Sequence, residues 1–297
     1  MEQEQNKAPQ IVIGIPCNKD QTHQVWSRYM GLQVPFERVW WTTRGGALTD
    51  KNRNEIARYF LGSGAEWLLF LDDDVEPKPD TLLRLLSHEK ELVSGIYYRR
   101  TPPCDPLVYT QDESGWYRPV IEWEEGSLFQ VPNGATGLGC TLINRSVFQK
   151  IMAHHTLYMR ANGSLGLAYL GDVYTTRGWA KPGLRLNKKG KKAELIQQVW
   201  PLRYEDLADN QQIPFFAFEF GRTEDLYFFE LARVAGVECW VDSSIELQHW
   251  GYNHVGRQQF EQVKKWMAAQ IEAQDVAGEG VEFQETRTDG TYPPEGD

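Results

Sequence analysis

WLLFLDDDVEP, running from Trp67 to Pro77, decides the fold class. Trp67 to Leu71 are apolar at every position. Successive strand side chains point to opposite faces, so a strand with no polar face must be covered on both sides, as parallel strands of α/β sheets are. Asp72, Asp73 and Asp74 then fall at the carboxyl end of that strand, the edge at which open α/β sheets bind ligands. If the chain continues extended, Asp72 and Asp74 point the same way. Carboxylates that close repel one another unless a cation lies between them or one stays protonated. A hard divalent cation bridging to a diphosphate meets that need, and a solvated acidic turn ahead of the next helix suits the same residues.

On either side the strand-helix rhythm repeats. Ile11–Ile15 and Phe36–Thr42 are β-branched and aromatic runs that read as strands. Helices are expected over His23–Met30 and over Lys51–Leu61, the second capped by Asp50 and closed by Gly62 and Gly64. Pro79–His88 supplies a further helix and Glu91–Tyr97 a further strand. This opening half predicts a Rossmann-like α/β fold with a mostly parallel central sheet flanked by helices. Short strands follow between Leu107 and Val131, then the glycine-rich NGATGLGC at Asn133–Cys140 and a helix over Ser146–Met152. Residues 155–214 are mixed and polar and read as an inserted loop region. Thr223–Val234 reads as a helix ended by Gly236, Val237–Val241 as a strand and Phe260–Ala273 as the last helix. The expectation is one domain over 1–275 and a flexible acidic tail over 276–297.

At 297 residues and 41% hydrophobic, the chain has ample material for a full core, which excludes disordered and fibrous classes. The longest apolar run, Trp67 to Leu71, is far short of the roughly 20 residues of a membrane helix. MEQEQNKAPQ at the start lacks the basic cluster and apolar core of a secretory signal, so a cytoplasmic protein is expected. Cys17, Cys104, Cys140 and Cys239 are widely spaced without a CxxC pair, and free thiols are expected. Lysine plus arginine against aspartate plus glutamate gives 31 − 41 = −10, which argues against a generally basic surface for nucleic acid. One island departs from this: RGWAKPGLRLNKKGKK, Arg177 to Lys192, is basic and holds no acid.

Three more groups could carry chemistry. Thr223, Glu224 and Asp225 open a helix, where a threonine N-cap and first-turn acids are good helix chemistry; the same placement would aim a rigid carboxylate at a hydroxyl as general base. His249, in VDSSIELQHWG, reads as a packed histidine or as a metal ligand, imidazole beside carboxylates suiting Mn²⁺ or Zn²⁺ better than Mg²⁺. His254 lies nearby as a substitute, and His154 and His155 have no matching context. Gly134, Gly137 and Gly139 would permit close backbone approach to a ligand, or form a plain turn. Their spacing is not a P-loop.

Taken in order, these motifs resemble the GT-A superfamily of nucleotide-sugar glycosyltransferases, in particular inverting family 2. LDDDVEP is similar to its DXD motif, NGATGLGC to its glycine loop, RTED to its xED motif, and His249 to its carboxy-terminal metal histidine. The resemblance covers about Ile11 to Gly251, apart from 155–214. It implies a single GT-A domain using Mn²⁺ (or Mg²⁺), with Asp74 as direct metal ligand, Asp72 as a metal ligand or ribose contact, and His249 completing the metal shell. It implies Asp225 as the base that deprotonates the acceptor. Pro16, Asn18, Arg53, Asp73, Gly137, Gly139 and Glu224 would then line the nucleotide-sugar site, Arg53 being suited to the diphosphate. An acid often follows the second strand of such enzymes to read uracil, whereas Thr42-Thr43-Arg44 stands here, which leaves the base open although a UDP-sugar is the expected donor. The QxxRW signature of processive synthases is missing, which implies transfer of single sugars.

The stretch between the glycine loop and xED commonly shapes the acceptor site in this superfamily. Here it holds Trp179, Lys188, Lys189, Lys191 and Lys192, a solvated loop or a binding arm for an acidic acceptor. A phage-type enzyme modifying hydroxymethylated bases in DNA, working in the host cytoplasm, is one form of that reading. Saccharide or other small acceptors, a nucleotidyltransferase, a metal-dependent nuclease or phosphatase using the same carboxylates, and a non-catalytic nucleotide-sugar-binding protein are the competing ones. IPCNKDQTH after the first strand lacks the glycine-rich basic loop of nucleotidyltransferases.

Overall fold

A computed structural model describes residues 10–17, 29–37, 39–44, 47–159, 165–169, 179–181, 184–186, 193–195, 212–218, 222–249 and 256–277. The first half carries β1 (Ile11–Pro16), β2 (Val39–Arg44), α1 (Thr49–Ser63), β3 (Trp67–Leu71), β4 (Val75–Glu76), α2 (Thr81–Ser87) and β5 (Leu92–Ile96). Then come β6 (Val108–Gln111), β7 (Tyr117–Pro119), β8 (Leu128–Gln130), β9 (Gly134–Thr136), β10 (Cys140–Asn144) and α3 (Arg145–His154). The remainder holds β11 (His155–Met159), β12 (Leu165–Tyr169), β13 (Trp179–Lys181), β14 (Leu184–Leu186), β15 (Ala193–Leu195), α4 (Glu224–Val234), β16 (Trp240–Glu246), β17 (Gln248–His249) and α5 (Arg257–Ala277).

The central sheet has seven strands in the order β2-β1-β3-β10-β5-β16-β8. β1 runs parallel to β2 and β3, and β16 parallel to β5, but β10 is antiparallel to both β3 and β5, and β8 to β16. The sheet is therefore mixed, and the expectation of a mostly parallel one is corrected. Burial on both faces makes an inserted antiparallel strand such as CTLIN as apolar as its parallel neighbours, so composition does not disclose its direction.

β3 shows how the sheet divides the interior. Leu68 and Phe70 join one core cluster with Val12, Ile56, Phe60 and Phe148, while Leu69 and Leu71 join another with Ile11, Ile13, Val93 and Leu142. All are fully buried, each such side chain contributing roughly 1.5–3 kcal/mol. α1 starts earlier than expected: Leu48 is its N-cap, Asp50 lies within the first turn, and Gly64 closes it in the left-handed conformation. The stretch 155–214, expected as loop, contains an antiparallel pair β11–β12 and a three-stranded antiparallel sheet β13–β14–β15. Leu157 and Leu167 carry the first pair into the core, an anchorage of single residues that composition over the whole stretch conceals.

The helix expected over His23–Met30 lies outside the described residues, apart from Tyr29 and Met30. So does the tail beyond Ala277, to which α5 extends. The four cysteines are buried and form no disulfide among the described residues. Among the described residues, no helix is long and apolar enough to cross a membrane.

Candidate active site

The aspartate triplet does not continue extended. Val75 N–H donates to the Asp72 carbonyl (3.2 Å), closing a turn with Asp73 and Asp74 at its corner, and Asp72 N–H donates to the Gly139 carbonyl (3.0 Å). The Tyr29 hydroxyl also donates to the Asp72 carbonyl. The turn releases the chain into β4, which pairs antiparallel with β17 so that His249 stands opposite Val75. That short ribbon sets His249 Nε2 3.2 Å from Asp74 Oδ1. The other ring nitrogen, Nδ1, lies 2.7 Å from the Tyr98 carbonyl. A carbonyl only accepts, so Nδ1 carries the proton, and Nε2 meets the carboxylate either with a second proton or with a lone pair open to a cation.

Asp74 thus has one oxygen on His249 and the other, Oδ2, 2.9 Å from Arg100 Nη1. Burial works to raise its pKa, but the His249 hydrogen bond and the charges of His249 and Arg100 outweigh this and hold it below the ordinary aspartate value. Asp72 goes the other way. Burial raises it, Asp74 adds to the rise, and Arg53, 2.6 Å from Oδ1, opposes it.

Arg53 is the buried hinge of the site. Its side chain, 2% exposed, rises from α1 over the Phe70 ring, with Nη2 on Asp72 and Nε 3.4 Å from Glu224 Oε1. It lies between two acids, and among the described residues its Nη1 makes no hydrogen bond. Its neighbours face inward too: Asn52 donates to the Cys17 and Ala47 carbonyls, and Asn54 exchanges hydrogen bonds with the backbone of Phe216.

Glu224 and Asp225 begin α4 behind the N-cap Thr223, as expected. Asp225 Oδ1 accepts from Leu226 N–H (2.9 Å) and from the Thr223 hydroxyl, while among the described residues Oδ2 accepts no hydrogen bond. The helix start thus fixes one of the two carboxylate oxygens. The charges of Asp72 and Asp225 both act on Arg53 and on the Tyr97 phenol.

Burial, and next the charge of Asp225, push Glu224 up to about 7, with Arg53 opposing. The folded state therefore holds a proton that the unfolded chain releases near 4.5. Its contribution to stability is full below that value and is lost as pH rises through 7. The melting temperature of Glu224→Gln relative to the parent should accordingly climb between pH 5 and pH 8, and a difference that stays flat would refute the shift.

The glycine loop joins β9 to β10 beneath Tyr97. A Cβ added at Gly137 would come 2.1 Å from the Tyr97 hydroxyl oxygen, and one at Gly139 would come 2.7 Å from the Tyr97 ring and 2.9 Å from Asp72 Oδ2. Gly139 N–H donates to that hydroxyl (2.9 Å), and the Tyr97 ring stands edge-on to His249 at 5.4 Å. The glycines admit Tyr97 and Asp72, which links the loop to the aspartate turn. Pro16 closes β1 with its side chain buried, and Asp73 is half-buried at the turn corner. Trp179 falls on β13; Asn18, His254, Lys188, Lys189, Lys191 and Lys192 lie outside the described residues.

The expected set Asp72, Asp74 and His249 is brought together only in part. Among the described residues, no group of three or more His, Cys, Asp or Glu side chains is arranged to hold a metal ion. Asp72 is drawn off by Arg53, which leaves Asp74 and His249 as a mixed oxygen-nitrogen pair. Their 3.2 Å separation suits adjacent ligands of a six-coordinate ion, about 3 Å apart for bonds of about 2.1 Å. The donor chemistry fits Mn²⁺ better than Mg²⁺. Sequence reasoning missed Tyr97, Tyr98 and Arg100. They follow β5 at its carboxyl end, and the strand-end rule that singled out the aspartates, applied to every strand, would have found them.

A cavity of ≈ 400 Å³ opens beside β8, between Thr110 and the stacked rings of Trp123 and Phe129. Tyr109, the residue before Thr110 on β6, is raised chiefly by burial and responds to Arg99 and Asp225.

No protein-family model matches the chain, and no curated protein does. Among solved structures it is similar to A197 from STIV, with a TM-score of 0.46 and 16% identity over 82% of this chain and 86% of that one. It is also similar to apo-UDP-glucose pyrophosphorylase, with a TM-score of 0.32 and 7% identity over 87% of this chain and 82% of that one.

Proposed function

We propose that the chain is a metal-dependent inverting glycosyltransferase that moves one sugar from a nucleotide-sugar, a UDP-sugar by preference, to an acceptor hydroxyl. The observation that carries this reading is the meeting of Asp74 with a His249 whose Nδ1 proton is held by the Tyr98 carbonyl; Asp225, whose Oδ2 accepts no hydrogen bond among the described residues, is the candidate base. Asp74 and His249 would hold Mn²⁺, whose chemistry is to neutralise charge on a departing diphosphate. Two protein ligands leave most of the ion's positions to phosphate and water, so cation and donor would bind together.

In this scheme Asp225 Oδ2 takes the proton of the acceptor hydroxyl as its oxygen attacks the anomeric carbon, and the bond from that carbon to the diphosphate oxygen breaks with its electrons on the leaving group. A single displacement needs no protein nucleophile. Arg53 holds Asp72 and Glu224 at a fixed separation, and Tyr97 ties the glycine loop to the same centre. The acceptor, whether hydroxymethylated bases in DNA or a saccharide, rests on the 177–192 island alone. The test is the anomeric configuration of the transferred sugar by proton NMR. An α-linked donor should yield a β-linked product, and retention would overturn the single displacement. Formation of a nucleoside triphosphate from donor and pyrophosphate would establish nucleotidyl transfer instead.

A further inference from the structure

We propose that Arg100, which pairs with Asp74, is a donor-binding residue that exchanges this carboxylate for the diphosphate when cation and donor bind. This rests on the donor reading of the Asp74 centre and assigns a residue that reading did not contain.

The two guanidinium groups that reach the aspartates differ sharply. Arg53 is 2% exposed, and its Nη2 and Nε are engaged by Asp72 and Glu224. Arg100 is 52% exposed and makes one contact at the centre, to Asp74 Oδ2. Its neighbour Arg99 acts on Asp105 and Tyr109 instead. Asp72 and Asp74 stand together at the turn, so a doubly charged anion entering beside them would be helped by a cation and by a guanidinium able to leave its carboxylate. A half-exposed arginine-carboxylate pair is weak and easily exchanged, whereas a guanidinium on a diphosphate makes two parallel charge-assisted hydrogen bonds. A cation held by Asp74 would compete with Arg100 for that carboxylate, and a donor diphosphate would offer the guanidinium two acceptors in its place.

This exchange gives Arg100 effects of opposite sign. Without nucleotide it competes with the cation for Asp74; with nucleotide it adds to binding. In Arg100→Gln, the affinity for Mn²⁺ alone, read by electron paramagnetic resonance, should rise about two- to fivefold, as expected for losing a weak surface pair. Affinity for a nucleoside diphosphate at saturating Mn²⁺, read by calorimetry, should fall about tenfold or more, as expected for a lost charge-assisted contact. UDP, GDP and ADP are the probes, the tightest on the parent being carried to the variants. Arg100→Lys, which keeps the charge, should lie between. If Arg100→Gln changes neither affinity while Asp74→Ala loses both, the Arg100 assignment is wrong and the donor reading stands. Weakening of both affinities in Arg100→Gln would mark a structural role and also overturn the exchange. If the folded parent binds neither Mn²⁺ nor any nucleoside diphosphate, the donor reading falls and the Arg100 proposal falls with it.

Discussion

Asp74→Ala should abolish metal-dependent nucleotide binding and lower donor turnover by about 10³ or more, at least the loss seen when one group stabilising a leaving charge is removed. Asp74 is the carboxylate on which the centre converges: His249 meets one oxygen and Arg100 the other. Neither neighbour can replace it, because both are cationic or neutral nitrogen groups. The fold should survive, since Asp74 sits at a turn corner outside both core clusters and its side chain is 26% exposed. Unchanged circular dichroism and melting, together with lost Mn²⁺-dependent binding, are the expected pair of results. Retained binding with full metal dependence would place the cation elsewhere.

Asp225→Asn should leave donor affinity within a fewfold of the parent and reduce transfer by about 10² to 10⁴, the contribution of a positioned general base. Asparagine keeps the Oδ1 acceptor that Leu226 N–H and Thr223 use, so the start of α4 is undisturbed. It removes only the basicity of the second oxygen. Steady-state kinetics should therefore show the loss in kcat with KM for donor nearly constant. Near-normal turnover would leave Asp225 as a first-turn acid that stabilises its helix and nothing more.

The two residues differ in how far the sequence discloses their setting. That Asp74 follows a buried strand is plain in WLLFLDDDVEP, because an apolar run followed by acids locates both the strand and its end. That His249 meets it is not, since the contact depends on a two-residue ribbon between β4 and β17, a pairing too short to leave any periodicity. The Arg53–Glu224 contact spans 171 residues and joins two helices that no local pattern relates. Periodicity reports which side chains are covered and not what covers them. For the same reason nothing local in the sequence discloses that Arg53 meets the carboxylates of Asp72 and Glu224. The alternation expected of Asp72 and Asp74 failed because the turn closed by Val75 N–H replaces extended chain at that point, yet Asp74 still acts on Asp72 electrostatically. Helix starts were legible where a side chain marks them, as at Thr223, and displaced where none does, as at Leu48.

Release of nucleoside diphosphate from a panel of nucleotide sugars, followed with Mn²⁺ and again with EDTA, tests the central claim most directly. One donor should be cleaved to nucleoside diphosphate and free sugar at a slow rate without acceptor, and EDTA should stop the release. A folded protein that cleaves no donor with Mn²⁺ present, or one that cleaves it equally well with EDTA, would contradict a metal-dependent glycosyltransferase built on Asp74 and His249.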